Sequence, residues 1–122
     1  MSKKEFALEL EGRTKTFAVK IIKFSALLPH NDVGVVLRKQ IVRSGTSVGA
    51  NYREANRSVS RADFKNKIAI CEKELSETQY WLDVIREAGL INPDQVSVTY
   101  EECTQLLKLF TAIGRNLSER KF

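Results

Sequence analysis

Apolar and small side chains recur alternately every three and four positions through four stretches of this chain, a rhythm that helices obey and strands do not. The first stretch carries Leu10, Thr14, Phe17, Ile21, Phe24 and Leu28, and the second Leu37, Ile41, Ser44, Val48, Asn51 and Ala55. The third carries Phe64, Ile68, Cys71, Leu75, Thr78, Leu82 and Ile85, and the fourth Val96, Tyr100, Cys103, Leu107, Phe110, Gly114 and Leu117. Such steps place each set on one helix face, and a sustained average of 3.5 is the seam of a left-handed bundle. No stretch alternates with period two, so a sheet is not expected. The pattern predicts an all-α fold, an antiparallel up-down-up-down four-helix bundle in a single domain over residues 1–122. The helices are expected at about 8–28, 32–57, 61–88 and 93–119.

Turn chemistry supports these limits. Ser60 can cap the third helix, with Asp63 three residues on and Val59 placed to staple against Phe64. Asn92 can cap the fourth, with Pro93 at the first helical position, Gln95 completing a capping box and Ile91 stapling to Val96. Gly89 stands where the third helix must end in a left-handed residue. Pro29 breaks the first helix, and Asn31 or Asp32 starts the second. The connections are short, so neighbouring helices are expected to be antiparallel.

A 122-residue chain that is 43% hydrophobic can bury a core without staples and is no disordered tail. Its apolar runs are far below the roughly 20 residues that span a bilayer, and the Met-Ser-Lys-Lys-Glu start has no apolar signal core. Two cysteines fit a reduced, cytoplasmic setting. Net charge is +5, but unevenly placed: residues 1–67 hold 14 basic and 6 acidic side chains, and residues 68–122 hold 6 and 9. A basic half facing a mildly acidic half fits either solvated faces that attract each other or a surface for a polyanion.

Catalytic signals are weak. His30 is the single histidine and sits in the turn after Pro29 without an evident partner. No Walker loop, Cys-x-x-Cys or Gly-x-Ser-x-Gly occurs. Glu72, Glu74 and Glu77 imitate half of a carboxylate metal site, but the histidine three residues after a glutamate is missing. They read better as a solvated face or as one buried glutamate paired across the bundle. No catalytic residue, metal or cofactor is therefore expected. Cys71 and Cys103 occupy seam positions and read as small core residues, too far apart for a disulfide. The run Ser44-Gly45-Thr46-Ser47-Val48-Gly49-Ala50-Asn51 places two glycines inside a helix, each costing about 1 kcal/mol against alanine. A neighbouring helix crossing closely here would offset that cost. Ser44 counts level with about Glu74, so a polar contact between helices two and three is expected there. Helix three bears a second apolar stripe, Ile70, Trp81, Val84 and Ala88, which is either a wide core face or a surface for another subunit.

Basic residues cluster on the first two helices. Lys39 and Arg43 share a face at i, i+4, as do Arg53 and Arg57, with Arg38 adjacent and Arg61 just beyond. Arg13, Lys15, Lys20 and Lys23 add charge from helix one. Aromatic interleaving is missing, so this surface would grip phosphates and read shape, with strong salt dependence and little sequence preference.

The segments Gln40 to Ala55 and Lys67 to Leu82, with Asn-x-x-Glu-Ala and Glu-Leu-x-Glu-Thr in order, resemble signatures of one bacterial family. This is the four-helix-bundle family encoded in intervening sequences of large-subunit (23S) ribosomal RNA genes. The resemblance covers nearly the whole chain. It implies a small up-down bundle that assembles as a homopentamer, and a relative, the accessory variability protein of diversity-generating retroelements, binds nucleic acid. Through it, Asn51, Glu54, Glu74 and Glu77 are carried over as structural or interface positions, joined by Trp81 of the second stripe. The leading expectation is a non-enzymatic oligomer that binds RNA or DNA through Lys20, Lys23, Arg38, Lys39, Arg43, Arg53, Arg57 and Arg61. The alternative is a protein-interaction scaffold whose basic half meets an acidic partner or a neighbouring subunit. No membrane partner is expected.

Overall fold

The computed structural model of the protein describes residues 1–119, which form four helices: α1 Lys3–Ser25, α2 Asp32–Ala55, α3 Arg61–Glu87 and α4 Pro93–Glu119. Each start follows from local chemistry. Ser2 and Glu5 form a capping box: Glu5 N–H donates to Ser2 Oγ at 3.1 Å and Ser2 N–H donates to Glu5 Oε1 at 3.0 Å. This box starts α1 five residues earlier than the apolar rhythm predicts. Gly34 N–H donates to Asn31 Oδ1 at 2.8 Å, and Asp63 N–H to Ser60 Oγ at 3.0 Å, so the predicted caps of α2 and α3 are in place. Asn92 Oδ1 accepts from Asp94 N–H at 2.8 Å at the head of α4. The expected staple from Val59 is not made, because Val59 is 98% exposed and points away from Phe64 and the core. Ile91, by contrast, is buried with Val96.

The ends are equally local. Gly89 has φ +67°, and Leu90 N–H donates to Ile85 O while Gly89 N–H donates to Arg86 O, the paired bonds of a Schellman motif. α1 leaves the α-helix at Ser25, short of the expected 28: Leu27 and Leu28 donate three residues back, to the Phe24 and Ser25 carbonyls, and Pro29 has no N–H to carry the helical ladder on. Leu28 is still buried, held by the turn. α2 stops at Ala55, two residues short of the expected end. Gly34 faces the Pro29 carbonyl so closely that an added Cβ would lie 1.7 Å from its oxygen, so only glycine fits the start of α2.

Rungs between helices descend one element as they climb the next, so sequential neighbours are antiparallel. From α1 to α2, an added Cβ on Gly49 would lie 3.2 Å from Thr14 Oγ1 and one on Gly45 2.8 Å from Ile21 Cγ2. The two in-helix glycines therefore do mark a close crossing. From α2 to α3, Thr78 Oγ1 donates to Ser44 Oγ at 2.8 Å and Cys71 Sγ to Val48 O at 3.4 Å. From α3 to α4, Thr111 donates to Glu72 Oε2 and Gln79 to Thr104 Oγ1, at 2.8 and 2.9 Å. α1 and α4 close the bundle with sparser contact.

One core runs through these layers, with Phe17, Ile21, Ile41, Val48, Ile68, Leu75, Leu82 and Phe110 fully buried. The α1 seam is buried throughout. On α2, Tyr52 takes the core place expected of Asn51, its ring edge-on to Phe110 at 5.4 Å. On α4, Leu106 is buried and Leu107 only partly, since a straight helix drifts about 20° per heptad from a 3.5 repeat. Cys71 and Cys103 are free thiols in the core, and burial pushes each up to about 12. No helix among the described residues is long and apolar enough to cross a membrane.

Candidate nucleic-acid interface

The cations of the first two helices separate into two groups once their neighbours are known. Arg38 turns back over the α1–α2 connection and donates to the carbonyls of Ser25, Leu28 and Pro29 at 3.1–3.3 Å. It therefore holds carbonyls that the end of α1 leaves without helical partners. Arg43 faces α3, donating to Glu74 Oε2 at 3.2 Å and to Glu77 Oε2. Arg61 donates to the Leu117 carbonyl of α4. Arg13 forks onto Glu102 and reaches Gln105. Of the eight positions expected to bind nucleic acid, Arg38, Arg43 and Arg61 thus serve the fold.

The other five, Lys20, Lys23, Lys39, Arg53 and Arg57, are exposed and form no ion pair among the described residues. Lys15 joins them. These six do not share one face. Lys15, Arg53 and Arg57 border a groove of about 550 Å³ between α1 and α2, floored by Gly12, Gly49 and Ala50. Lys20 and Lys23 lie around α1 toward α4, beside Phe24, Leu27, Asp94 and Val98. The groove was not legible from the helix spacing alone. It becomes legible once Gly49 is set against Thr14, because that register puts Lys15 level with Val48, little more than one turn from Arg53 across the groove.

The acidic half is largely engaged within the fold. Glu102 pairs with Arg13, Glu74 and Glu77 with Arg43, Asp83 with Arg86, and Glu72 accepts from Thr111. Glu54 pairs with Lys67 on the α2–α3 surface. Glu54, Glu74 and Glu77, carried over as structural or interface positions, thus each form an ion pair across the α2–α3 contact. Asn51 instead donates to its own helix at Ser47 O, 2.9 Å away, and makes no hydrogen bond to α3 among the described residues, so its amide does not set register. Trp81 is half-buried against the core and its indole N–H donates to Glu77 Oε2 at 3.2 Å. Val84 packs on the same core, so those two residues of the second apolar stripe widen the core face.

Arg43, Glu74, Glu77 and Trp81 form one polar cluster between α2 and α3. Bonds to Glu74 and then Glu77 raise the Arg43 pKa, keeping it charged. Partial burial raises the Glu77 carboxyl, and the bonds from Arg43 and Trp81 outweigh it, holding Glu77 below the usual carboxylate range. Glu74 is only 9% exposed, and its Oε1 is buried without a hydrogen-bond partner among the described residues. Arg43 is its one ion-pair partner among the described residues. Among the described residues no three His, Cys, Asp or Glu side chains converge as a metal ion would require.

Removing Arg43 leaves Glu74 as an unpaired buried carboxylate, so Arg43→Ala is expected to cost about 2 kcal/mol at neutral pH. A depressed folded pKa gives stability above the unfolded value that is lost as pH falls through the folded one. Glu77, held low by Arg43, is the group concerned, so the deficit of the variant, read from urea unfolding, should shrink as pH falls below the ordinary carboxylate range. Arg53→Ala should stay within about 0.5 kcal/mol of the parent. Equal effects of the two substitutions would contradict this division of the arginines.

Residues 7–112 match the family described as 23S rRNA-intervening sequence protein. No curated protein matches the chain. Among solved structures, the chain is similar to a protein of unknown function from the S23 ribosomal protein family of Bacteroides thetaiotaomicron VPI-5482. The two are 39% identical, the match covers 85% of this chain and 96% of that one, and the TM-score is 0.80. A match over most of the helical bundle, with a close structural relative of the same size, places this chain in the 23S rRNA-intervening sequence protein family.

Proposed function

We propose that this protein is a non-enzymatic, homo-oligomeric helical bundle that binds RNA or DNA through unpaired cations of α1 and α2. The observation that carries the reading is the contrast between two sets of charges. Most acids of α3 and α4 are engaged inside the fold, while Lys15, Lys20, Lys23, Lys39, Arg53 and Arg57 face solvent without an acid. The unpaired cations of the first two helices therefore gather in two places, the α1–α2 groove and the α1 surface toward α4. Phe6 is the one exposed aromatic of α1 and α2 among the described residues, too little to stack a row of unpaired bases, which favours contact with the phosphate backbone. Filter binding of a structured RNA tests this. Affinity should fall about forty-fold from roughly 50 to 200 mM salt if three phosphates are contacted, and about a thousand-fold if six are. Absent binding at low salt, or binding indifferent to salt, contradicts the reading.

A second reading, assembly with protein, is favoured by the aliphatic residues set among these cations. Val19, Ile22, Val35 and Val36 are 41–57% exposed on α1 and α2, more than a monomer needs to show in one region. We assign them to contact between copies, with five copies as the resemblance implies. Light scattering should give about 70 kDa, five times the 13.9 kDa chain, at micromolar concentration. A mass of one chain contradicts it.

A further inference from the structure

We infer that the α1–α2 groove is a seat for the sugar-phosphate backbone of a nucleic-acid duplex, gripped by Lys15, Arg53 and Arg57 and kept open by Gly12. This rests on the nucleic-acid reading and assigns it to one place. Gly12 lies in the middle of α1, where glycine is among the poorest helix formers. Gly34, Gly45 and Gly49 each answer to a neighbouring atom within 3.4 Å of an added Cβ, but an added Cβ on Gly12 meets nothing within 4 Å. Folding thus gives no reason for glycine at this position. What its missing side chain does is lower the floor of the groove, between Lys15 on one wall and Arg53 and Arg57 on the other.

The charges on those walls are available. Arg53, in the last turn of α2, and Arg57, in the turn that follows the helix, make no ion pair among the described residues. The acid in the groove, Glu11, accepts from Asn56 Nδ2 at 2.8 Å, and the groove hydroxyl of Thr46 bonds back to Val42 O. The floor therefore offers little to read a base edge. Two guanidinium forks and an ammonium over a smooth, concave floor match a ridge of phosphates. An acidic protein helix would need a large apolar anchor, whereas Leu8 is the one large aliphatic in the lining.

The test uses the full chain and a fluorescein-labelled RNA hairpin with a stem of about two turns. The variants are Gly12→Leu, the pair Arg53→Ser with Arg57→Ser, and the pair Lys20→Ser with Lys23→Ser. Leucine favours the helix and its Cβ meets no atom within 4 Å, so Gly12→Leu should melt no lower than the parent. It should weaken hairpin binding at least about five-fold with the salt slope unchanged. The arginine pair should weaken binding at least about ten-fold and lower the slope by about two, and the lysine pair should cost less than about three-fold. Unaltered affinity in Gly12→Leu, or equal losses from the two charge pairs, would overturn the groove while leaving nucleic-acid binding in place. No binding by the parent would remove both. A poly-glutamate peptide that binds the parent as tightly as the hairpin, with the same dependence on Gly12, would give the groove to an acidic protein segment instead.

Discussion

The approach of α1 to α2 at Gly45 and Gly49 sets the geometry on which the rest of the molecule depends. Two glycines in one helix cost about 2 kcal/mol of helix propensity together. The return is contact: Ile21 Cγ2 lies 2.8 Å from where a Cβ on Gly45 would be, and Thr14 Oγ1 3.2 Å from where one on Gly49 would be. Both are fully buried, Thr14 because its hydroxyl donates to the Leu10 carbonyl at 2.9 Å. This crossing fixes the axial register of the two basic helices. Lys15 comes level with the last turns of α2 for that reason, and the groove follows from the register rather than from any residue alone.

On its other side α2 meets α3 through a polar lock instead of a small-residue one. Ser44 and Thr78 share a buried hydrogen bond, and Arg43 beside them closes onto Glu74 and Glu77. Thr78 Oγ1 also lies 2.8 Å from the Glu74 carbonyl, so its single proton is shared between that carbonyl and Ser44 Oγ. A buried polar contact of this kind can define register at little net gain in stability. The consequence for charge is direct. An arginine on the α3-facing side of α2 is bound to carboxylates, and one on the outward side is bound to none. Position around one helix decides whether the same side chain is part of the fold or part of a surface.

Much of this was legible in the sequence. The three-four rhythm, Asn31, Ser60, Asn92 and Gly89 located four helices because caps and periodicity act over a few residues. The glycine run foretold a close crossing, and the polar contact of Ser44 with α3 was expected within one turn of where it lies. Errors arose where distant packing decides. Tyr52 displaced Asn51 and Leu106 displaced Leu107 as the true helical period drifted from the ideal seam. Val59 faced solvent because the α2–α3 turn directs it outward. The cations were the least legible part, because charge and spacing do not reveal a partner thirty residues away. Arg38 was the extreme case: its partners are backbone carbonyls, which carry no sequence signal.

The central claim is that the arginines divide into those held by the fold and those free for a polyanion. Side-chain Nε–Hε resonances report this directly, one signal per arginine. On titrating an RNA hairpin into isotope-labelled protein at low salt, the Arg53 and Arg57 signals are expected to shift and saturate together. Those of Arg13, Arg38 and Arg43 should stay in place, since each is already bonded to a carboxylate or carbonyl. Movement of Arg43 with Arg53, or a titration that leaves Arg53 and Arg57 unmoved while the RNA binds, would contradict the account.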